Sequence, residues 1–316
     1  MIDVDFEDVW ISNLTATASS AQSGVTLDAV GGGLDSSLYV FNMDAPDYSA
    51  VNIHALESVS IEDAEWGSAT MTIAPGGSTS SAAGPSGTSA SLTNLEAGDL
   101  TMARIAPTMD DITIGALSVL GNSPTTDSIR GTNWDTDGIS VSGCGYSIVV
   151  DGVDTDYVAG SCSNSAAPNN IVLDDVDAVY TGTMNAIYAR NSAITIADGS
   201  VTMPSNFDKM SKASTNGRIV LIDVDQGGTD CNSASDCDVS SSSSGAIYFG
   251  SLATAKVYKM LDDGVTKEYK EGHTVQASVV DAGSVLFTVG THKTDSTGET
   301  SVWVLTENDA GDTYSD

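Results

Sequence analysis

Residues 171–203 read IVLDDVDAVYTGTMNAIYARNSAITIADGSVTM, and this stretch decides the fold. Ile171 and Leu173 alternate along an extended segment, and Val176 and Val179 follow after a very short joint. The same arrangement returns at Ile194–Ile196, with a further strand after it. Alternation of apolar and polar residues has the period of a β-strand, whose successive side chains point to opposite faces. The stretch therefore predicts short strands in close succession rather than helices.

Most joints between these strands lack the Gly-rich reversal, such as Asn-Gly, that a tight β-hairpin requires. A corner without reversal lets the chain continue as the next face of a coil, and stacked coils form a parallel β-helix. Equivalent strands, 22 to 34 residues apart, are predicted at Leu92, Ile114, Ile148, Leu173, Ile196, Ile222 and Tyr248. The sequence predicts an all-β fold, a parallel β-helix (β-solenoid) with a small C-terminal β-sandwich or cap. Antiparallel β-sandwich modules are the alternative.

The C-terminal part changes character, with longer strands and more lysine, and two domains follow from this change. Residues 1–250 are expected to form the β-helix with variable corner loops, including a Gly/Ser-rich excursion at 76–91. Residues 251–316 are expected to form an Ig-like module or a cap on the open end of the solenoid, because exposed strand edges need cover.

Lys293–Thr300 contains the pattern Thr294-Asp295-x-x-Gly298 before an alternating strand. This turn resembles that of Ig-like and carboxypeptidase-regulatory-like β-sandwich modules. Over its whole length the chain resembles extracellular surface proteins with right-handed parallel β-helix repeats followed by such a module. The resemblance implies adhesins, spikes, or proteins that bind or cleave polysaccharides.

The charge balance is extreme, with 43 acidic against 11 basic residues and a net charge of −32. Such a surface repels the phosphates of nucleic acids and anionic membranes, so no nucleic-acid partner is expected. No run of 18 apolar residues exists, so no membrane insertion is predicted. The residues after Met1 lack the basic region of a signal peptide, which leads us to expect a mature form or a piece of a longer chain.

Four cysteines lie in Gly/Ser/Asn/Asp-rich stretches, and their spacing predicts the local disulfides Cys144–Cys162 and Cys231–Cys237. Reduced thiols or a zinc site are the alternative, although Cys-x5-Cys is not zinc-knuckle spacing. Disulfides imply an oxidising compartment, and the predicted location is extracellular, at the cell surface.

Calcium is the cofactor that the sequence indicates. Asn133, Asp135 and Asp137 precede Gly138 with the spacing of the first half of a calcium loop, in which alternate oxygen ligands converge on one cation. Position 12 of that loop is Cys144 instead of a bidentate Glu, so a full EF-hand is excluded. A less complete second candidate combines Asp223, Asp225 and Asp230. The bland alternative for both is an Asp-rich turn without an ion.

A catalytic apparatus is not predicted. The pairs Asp110-Asp111 and Asp174-Asp175 could serve a hydrolase only if held at a defined separation, and in a chain this rich in Asp such pairs arise by composition. Arg190 is the best placed candidate for a lyase base, but a lone charge that neutralises an acidic surface is the simpler interpretation. We therefore expect no enzyme.

Two hypotheses of function follow. The first is a non-catalytic structural or adhesive surface protein that associates with copies of itself into a fibre or coat, or with surface glycans. The second is a carbohydrate-binding or polysaccharide-cleaving, lyase-like β-helix protein, for which Trp10, Trp66 and Trp134 are candidate platform residues.

Overall fold

The computed structural model describes residues 2–3, 8–15, 25–28, 37–44, 49–54, 58–74, 89–123, 128–164, 166–179, 186–202, 211–231, 237, 239–262, 264–272, 274–275, 285–289, 292–294 and 296–307. The predicted Gly/Ser-rich excursion is outside these ranges over 76–88. All regular structure in the described ranges is β. In chain order the strands are β1 (Ile2–Asp3), β2 (Asp8–Thr15), β3 (Val25–Asp28), β4 (Ser37–Asp44), β5 (Ala50–His54), β6 (Ser58–Glu65), β7 (Thr70–Ile73), β8 (Ser89–Ala97), β9 (Leu100–Ala103), β10 (Thr108–Leu120), β11 (Ser128–Val141), β12 (Ser147–Thr155), β13 (Val158–Ser161), β14 (Asn169–Val179), β15 (Ile187–Arg190), β16 (Ser192–Thr202), β17 (Ser211–Ser214), β18 (Arg218–Gln226), β19 (Val239–Ser241), β20 (Ala246–Lys256), β21 (Tyr258–Met260), β22 (Lys267–Tyr269), β23 (Thr274–Val275), β24 (Val285–Val289), β25 (His292–Lys293) and β26 (Glu299–Glu307).

The strands up to β20 form two parallel ladders, and each pass of the chain through them is called a rung here. The long-strand ladder runs β2-β4-β6-β8-β10-β11-β12-β14-β16-β18-β20. The short-strand ladder runs β1-β3-β5-β7-β9-β10-β11-β13-β15-β17-β19, so that β10 and β11 pass through both. Parallel pairing throughout excludes the antiparallel sandwich for this part of the chain.

Inward side chains stack in aliphatic columns. One column consists of isoleucines that are Cα partners from rung to rung, all fully buried: Ile129, Ile148, Ile171, Ile194 and Ile219. Complete burial of such a side chain contributes about 1.5–3 kcal/mol. Because β-branched side chains pack well on a pleated surface, repetition of isoleucine fixes the register of the stack.

The observed register corrects part of the predicted one. Leu173 and Ile196 are Cα partners, as predicted. Ile114, however, partners Thr136 rather than Ile148, because β11 forms a complete rung that the prediction passed over. Ile196 partners Leu221, one residue before the predicted Ile222. The short-strand connections vary in length, so sequence spacing alone does not locate every rung.

The end of the stack is antiparallel. β20 pairs in parallel with β18 through its first half, and along Tyr248–Lys256 it pairs antiparallel with β26. β24 then pairs antiparallel with β26. β20 therefore crosses the predicted boundary between residues 250 and 251, and β26 covers one edge of the last rung. Two small antiparallel pairs, β21–β22 and β23–β25, lie outside this sheet.

Candidate functional site

A column of left-handed residues runs down one corner of the long-strand ladder, and we call it the corner column. Its members occupy the same register position in successive rungs: Asn13, Asn42, Asp63, Asn94, Asp111, Asn133, Gly152, Asp175, Asp198 and Asp223. Each has a positive φ, between 46° and 77°. Gly adopts this conformation freely and Asn and Asp tolerate it better than other residues, which explains the composition of the column. Each member bends its strand by one corner.

Hydrogen bonds join neighbouring members of the corner column. Nδ2 of Asn94 donates to Oδ1 of Asp63 over 2.7 Å, and Nδ2 of Asn42 donates to Oδ1 of Asn13 over 2.8 Å. Where an amide lies above a carboxylate, a hydrogen bond takes the place of the repulsion that two carboxylates would have. An amide above another amide also forms a hydrogen bond. Asp175 and Asp198, in contrast, are two carboxylates at neighbouring positions of the column.

A second column, the flank column, follows two residues after the corner column and faces outward. It contains Thr15, Asp44, Glu65, Glu96, Thr113, Asp135, Asp154, Asp177, Ser200 and Asp225. Adjacent strands lie about 4.8 Å apart, so its carboxylates repel one another. Ser200 relieves one contact by donating from Oγ to Oδ1 of Asp177 over 2.7 Å.

The electrostatic consequence is visible in two carboxyls. The pKa of Asp154 is raised by desolvation and then by the negative charges of Asp135 and Asp177, its flank-column neighbours, and of Asp156. The pKa of Asp174 is also raised, mainly by partial burial, with further contributions from nearby carboxylates, Asp151 first among them. Both groups are therefore more easily protonated than an isolated aspartate.

Two open grooves lie along these columns. One, of about 590 Å³, has a lining that includes Asp154, Asp175, Asp177, Asp198, Asp223 and Asp225. The other, of about 670 Å³, lies over the first rungs and is called the aromatic groove here. Its lining includes the exposed Phe41 together with Asp44, Asp63, Glu65, Asn94 and Glu96.

The structure places the first group of predicted calcium residues on a single strand. The stretch 133–138, with the composition of a calcium half-loop, lies within β11. Asn133 occupies the corner column, where its Nδ2 donates to Oδ1 of Asp111, while Asp135 belongs to the flank column and Asp137 is exposed. Asn133, Asp135 and Asp137 are thus alternate residues on the exposed face of one strand. Within the described ranges, no three His, Cys, Asp or Glu side chains gather so as to hold a metal ion.

The second predicted calcium group has a local structural explanation. Asp223 is in the corner column, and Asp225 accepts a hydrogen bond on Oδ1 from the backbone N–H of Gly228 over 2.6 Å. Asp230 is exposed and forms an isolated antiparallel bridge with Asp225. These contacts close the turn after β18.

The acidic pairs considered for catalysis occupy equivalent corners in different rungs. Asp110 accepts from Oγ1 of Thr132 over 3.0 Å, and Asp111 accepts from Asn133 over 2.7 Å. Asp174 accepts from the backbone N–H of Asp175 over 3.1 Å. Arg190 is exposed at the end of β15. The left-handed corner of each rung explains why these acidic pairs lie where they do.

Both predicted disulfides are present. Cys144–Cys162 ties the link before β12 to the end of β13, and Cys231–Cys237 closes a short loop after β18. They indicate an oxidising, non-cytoplasmic environment. Among the described residues there is no helix long and apolar enough to cross a membrane.

The tryptophans divide into two kinds. Trp66 and Trp134 are buried in the core and are not available as a platform, which corrects that part of the prediction. Trp10 is 73% exposed and stacks on Tyr39, with ring centroids 4.1 Å apart. The exposed Phe41 belongs to the same strand as Tyr39, β4.

Sequence reasoning missed the corner column. Its signal is an Asn, Asp or Gly placed directly before an apolar residue once per rung, as in Asn94-Leu95, Asp111-Ile112 and Asp175-Val176.

In comparisons with known proteins, no family model, no curated protein and no solved structure matches this chain.

Proposed function

We propose that this chain is a non-catalytic structural element of an extracellular surface. In this proposal the rungs close into a β-solenoid that acts as a stiff rod and associates with copies of itself into a fibre or coat. The observation that carries the proposal is the unbroken parallel pairing from β1 to β20. Because each rung contacts only its neighbours, such a stack is mechanically a rod whose length grows with rung number.

The arrangement of the acids supports a structural role over a catalytic one. Carboxylates recur at the same corner and flank positions in rung after rung, as in Asp135, Asp154 and Asp177. A catalytic acid and base differ in environment from one another and occur once. A column of similar groups instead gives the rod a charged edge that keeps it soluble and available to cationic partners.

Calcium remains part of the proposal as a counter-ion for this edge rather than as the occupant of a preformed half-loop. Divalent cations prefer oxygen ligands, which both columns present in quantity. Melting temperatures in calcium and in NaCl of the same ionic strength test this point.

Self-association is tested by sedimentation velocity and negative-stain imaging of the purified chain over a range of concentrations. The proposal predicts rods that lengthen or gather as the concentration rises. A particle that stays monomeric up to about 1 mM, near the upper end of weak specific affinities, contradicts it.

A second candidate function, glycan binding, is favoured by the exposed Trp10–Tyr39 stack. Aromatic rings with one open face provide an apolar platform for flat ligands, and a few polar groups beside them supply specificity. Titration of neutral and acidic polysaccharides, followed by tryptophan fluorescence, tests it. The lyase variant of this function predicts ultraviolet absorbance from unsaturated products. Binding lost in Trp10→Ala would support the second candidate, and absence of any polysaccharide response would remove it.

A further inference from the structure

The β21–β22 hairpin differs from the rest of the molecule, and we call residues 256–270 the lysine hairpin. Four of the seven lysines of the chain lie in it: Lys256, Lys259, Lys267 and Lys270. Its apolar side chains are also exposed, with Val265 at 80% and Tyr258, Met260, Leu261 and Tyr269 each above a third. An exposed group of apolar and cationic side chains is typical of a surface that another molecule covers.

Packing within the lysine hairpin orders this surface. The rings of Tyr258 and Tyr269 meet edge to face at 6.2 Å, and Nζ of Lys267 lies 4.3 Å from the centroid of Tyr258. Lys270 pairs with Glu268 over 2.9 Å, which lowers the pKa of that carboxyl. The hairpin thus presents ordered rings with ammonium groups beside them.

The aromatic groove at the other end has the complementary character. Phe41 is 43% exposed there and stands beside Asp44 and Glu65. Oδ1 of Asp44 is buried yet accepts no hydrogen bond from any described residue, so the groove contains an acceptor without a donor. The first lysine or arginine of the chain is Arg104, so the N-terminal rungs contain no cation of their own.

The two surfaces cannot meet within one molecule. Asp44 and Glu65 lie in β4 and β6, whereas the lysine hairpin follows β20, the last strand of the long-strand ladder. Eight or nine strand spacings of about 4.8 Å separate them, which is roughly 40 Å. The pairing of Lys256 with Glu299 on β26 holds the start of the hairpin at its own end.

We propose that the lysine hairpin of one copy docks into the aromatic groove of the next copy. The face that carries Tyr258, Tyr269 and Lys267 enters the groove, and Lys267 faces Asp44 and Glu65. This inference rests on the proposed self-association and specifies its surfaces. The contact joins two different surfaces, so it is head-to-tail, and it produces an open filament when the rotation between copies does not close a ring. Ammonium–carboxylate contacts make the association weaken as salt rises.

Charge reversal on either surface tests the contact. The hairpin variant carries Lys267→Glu, and the groove variant carries Asp44→Lys and Glu65→Lys. Matched controls make the same charge changes elsewhere: Lys259→Glu on the opposite face of the hairpin, and Asp154→Lys with Asp177→Lys. In sedimentation velocity we expect each test variant to associate at least about tenfold more weakly than the wild type, because like charges then face each other. Both controls should associate like the wild type.

Mixing the two test variants gives the sharpest outcome. In an equimolar mixture the intact hairpin meets the intact groove, and the charge-reversed hairpin meets the charge-reversed groove, so opposite charges face each other at both junctions. The mixture should therefore recover the filament growth that neither variant shows alone. In the wild type, carbodiimide coupling of a mixture of ordinary and ¹⁵N-labelled protein should yield intermolecular peptides that join Lys267 to Asp44 or Glu65.

Other outcomes overturn the inference at different levels. Association of both test variants at wild-type strength, or couplings confined to other residues, rejects this docking and leaves self-association standing. A wild type that remains monomeric rejects both the docking and the proposed function. The coupling experiment uses the wild type alone, so it decides the question even if a variant fails to fold.

Discussion

Nδ2 of Asn133 donates a hydrogen bond to Oδ1 of Asp111 over 2.7 Å, and both residues have left-handed backbones at the same corner of neighbouring rungs. The pair combines the two functions of the corner column. The backbone turns without glycine, and the side chains link one rung to the next.

Replacement of Asn133 separates these two contributions. Asn133→Ala should lower the free energy of unfolding by about 2 kcal/mol, because alanine is strained at positive φ and the hydrogen bond is lost. Asn133→Gly loses only the hydrogen bond and should cost about 1 kcal/mol. Urea denaturation measures both. Equal losses would mean that the left-handed backbone is not what the Asn preserves.

The two buried tryptophans provide a matched comparison. Nε1 of Trp134 donates to the backbone oxygen of Met109 over 2.7 Å, whereas Nε1 of Trp66 finds no acceptor among the described residues. Trp134→Phe should therefore cost about 1–2 kcal/mol more than Trp66→Phe, because it leaves a buried carbonyl without its donor. Urea denaturation of the two variants side by side decides this. A larger loss for Trp66→Phe would contradict the assigned contact.

The contribution of Asp174 to stability should increase as pH falls through the window between its raised pKa in the folded chain and the ordinary value of 3.8. Asp174 has a raised pKa in the folded chain, so between its ordinary value of 3.8 and the raised value the folded state binds more protons than the unfolded state. Stability therefore falls as pH rises through that window and reaches its low value above it. Asp174→Asn removes the ionisable group and with it this loss of stability. Its amide oxygen can still accept the hydrogen bond from the backbone N–H of Asp175.

At pH 7 we expect Asp174→Asn to be more stable than the wild type by less than about 1 kcal/mol, since solvent screens the partly exposed group. The stability of Asp174→Asn should also change less with pH than that of the wild type. Melting curves across this pH window measure the effect. Asp262→Asn, at an exposed position of the lysine hairpin, is the control. A control that changes as much as Asp174→Asn would show a general charge effect instead.

Salt and calcium should both stabilise the chain. Its net charge of −32 opposes the compact state, and monovalent salt screens that repulsion. Calcium at ~5 mM should raise the melting temperature more than NaCl of the same ionic strength, because bound ions favour the folded form. Asp135→Ala with Asp137→Ala should reduce the calcium increment and leave the NaCl increment. Equal effects of the two salts would reject calcium binding.

The sequence was sufficient for the strands and for the parallel stack, because alternating aliphatic residues with joints too short for hairpins allow few other arrangements. The spacing of strands along the sequence did not reveal that β11 forms a rung of its own. Asn133–Gly138 has the oxygen-rich composition of a calcium loop, yet Trp134 and Thr136 alternate inward with the period of a strand. Long-range register determined that outcome, and register depends on the neighbouring rungs rather than on local composition.

The grooves could not be predicted from the sequence for a related reason. Asp44, Glu65 and Glu96 are far apart in sequence and become neighbours only through the register of β4, β6 and β8. Connections of variable length hide that register. The cysteines were easier, since both disulfides join residues that are close in sequence.

Fibre diffraction from oriented filaments of the wild-type chain is the most direct test of the central claim, that rungs stack along the axis of a self-associating rod. Head-to-tail assembly predicts a strong reflection near 4.8 Å on the meridian, because the strand spacing then lies parallel to the fibre. A reflection of that spacing on the equator would mean that the rods lie across the fibre. Absence of the reflection from ordered fibres would contradict the stacked-rung architecture itself.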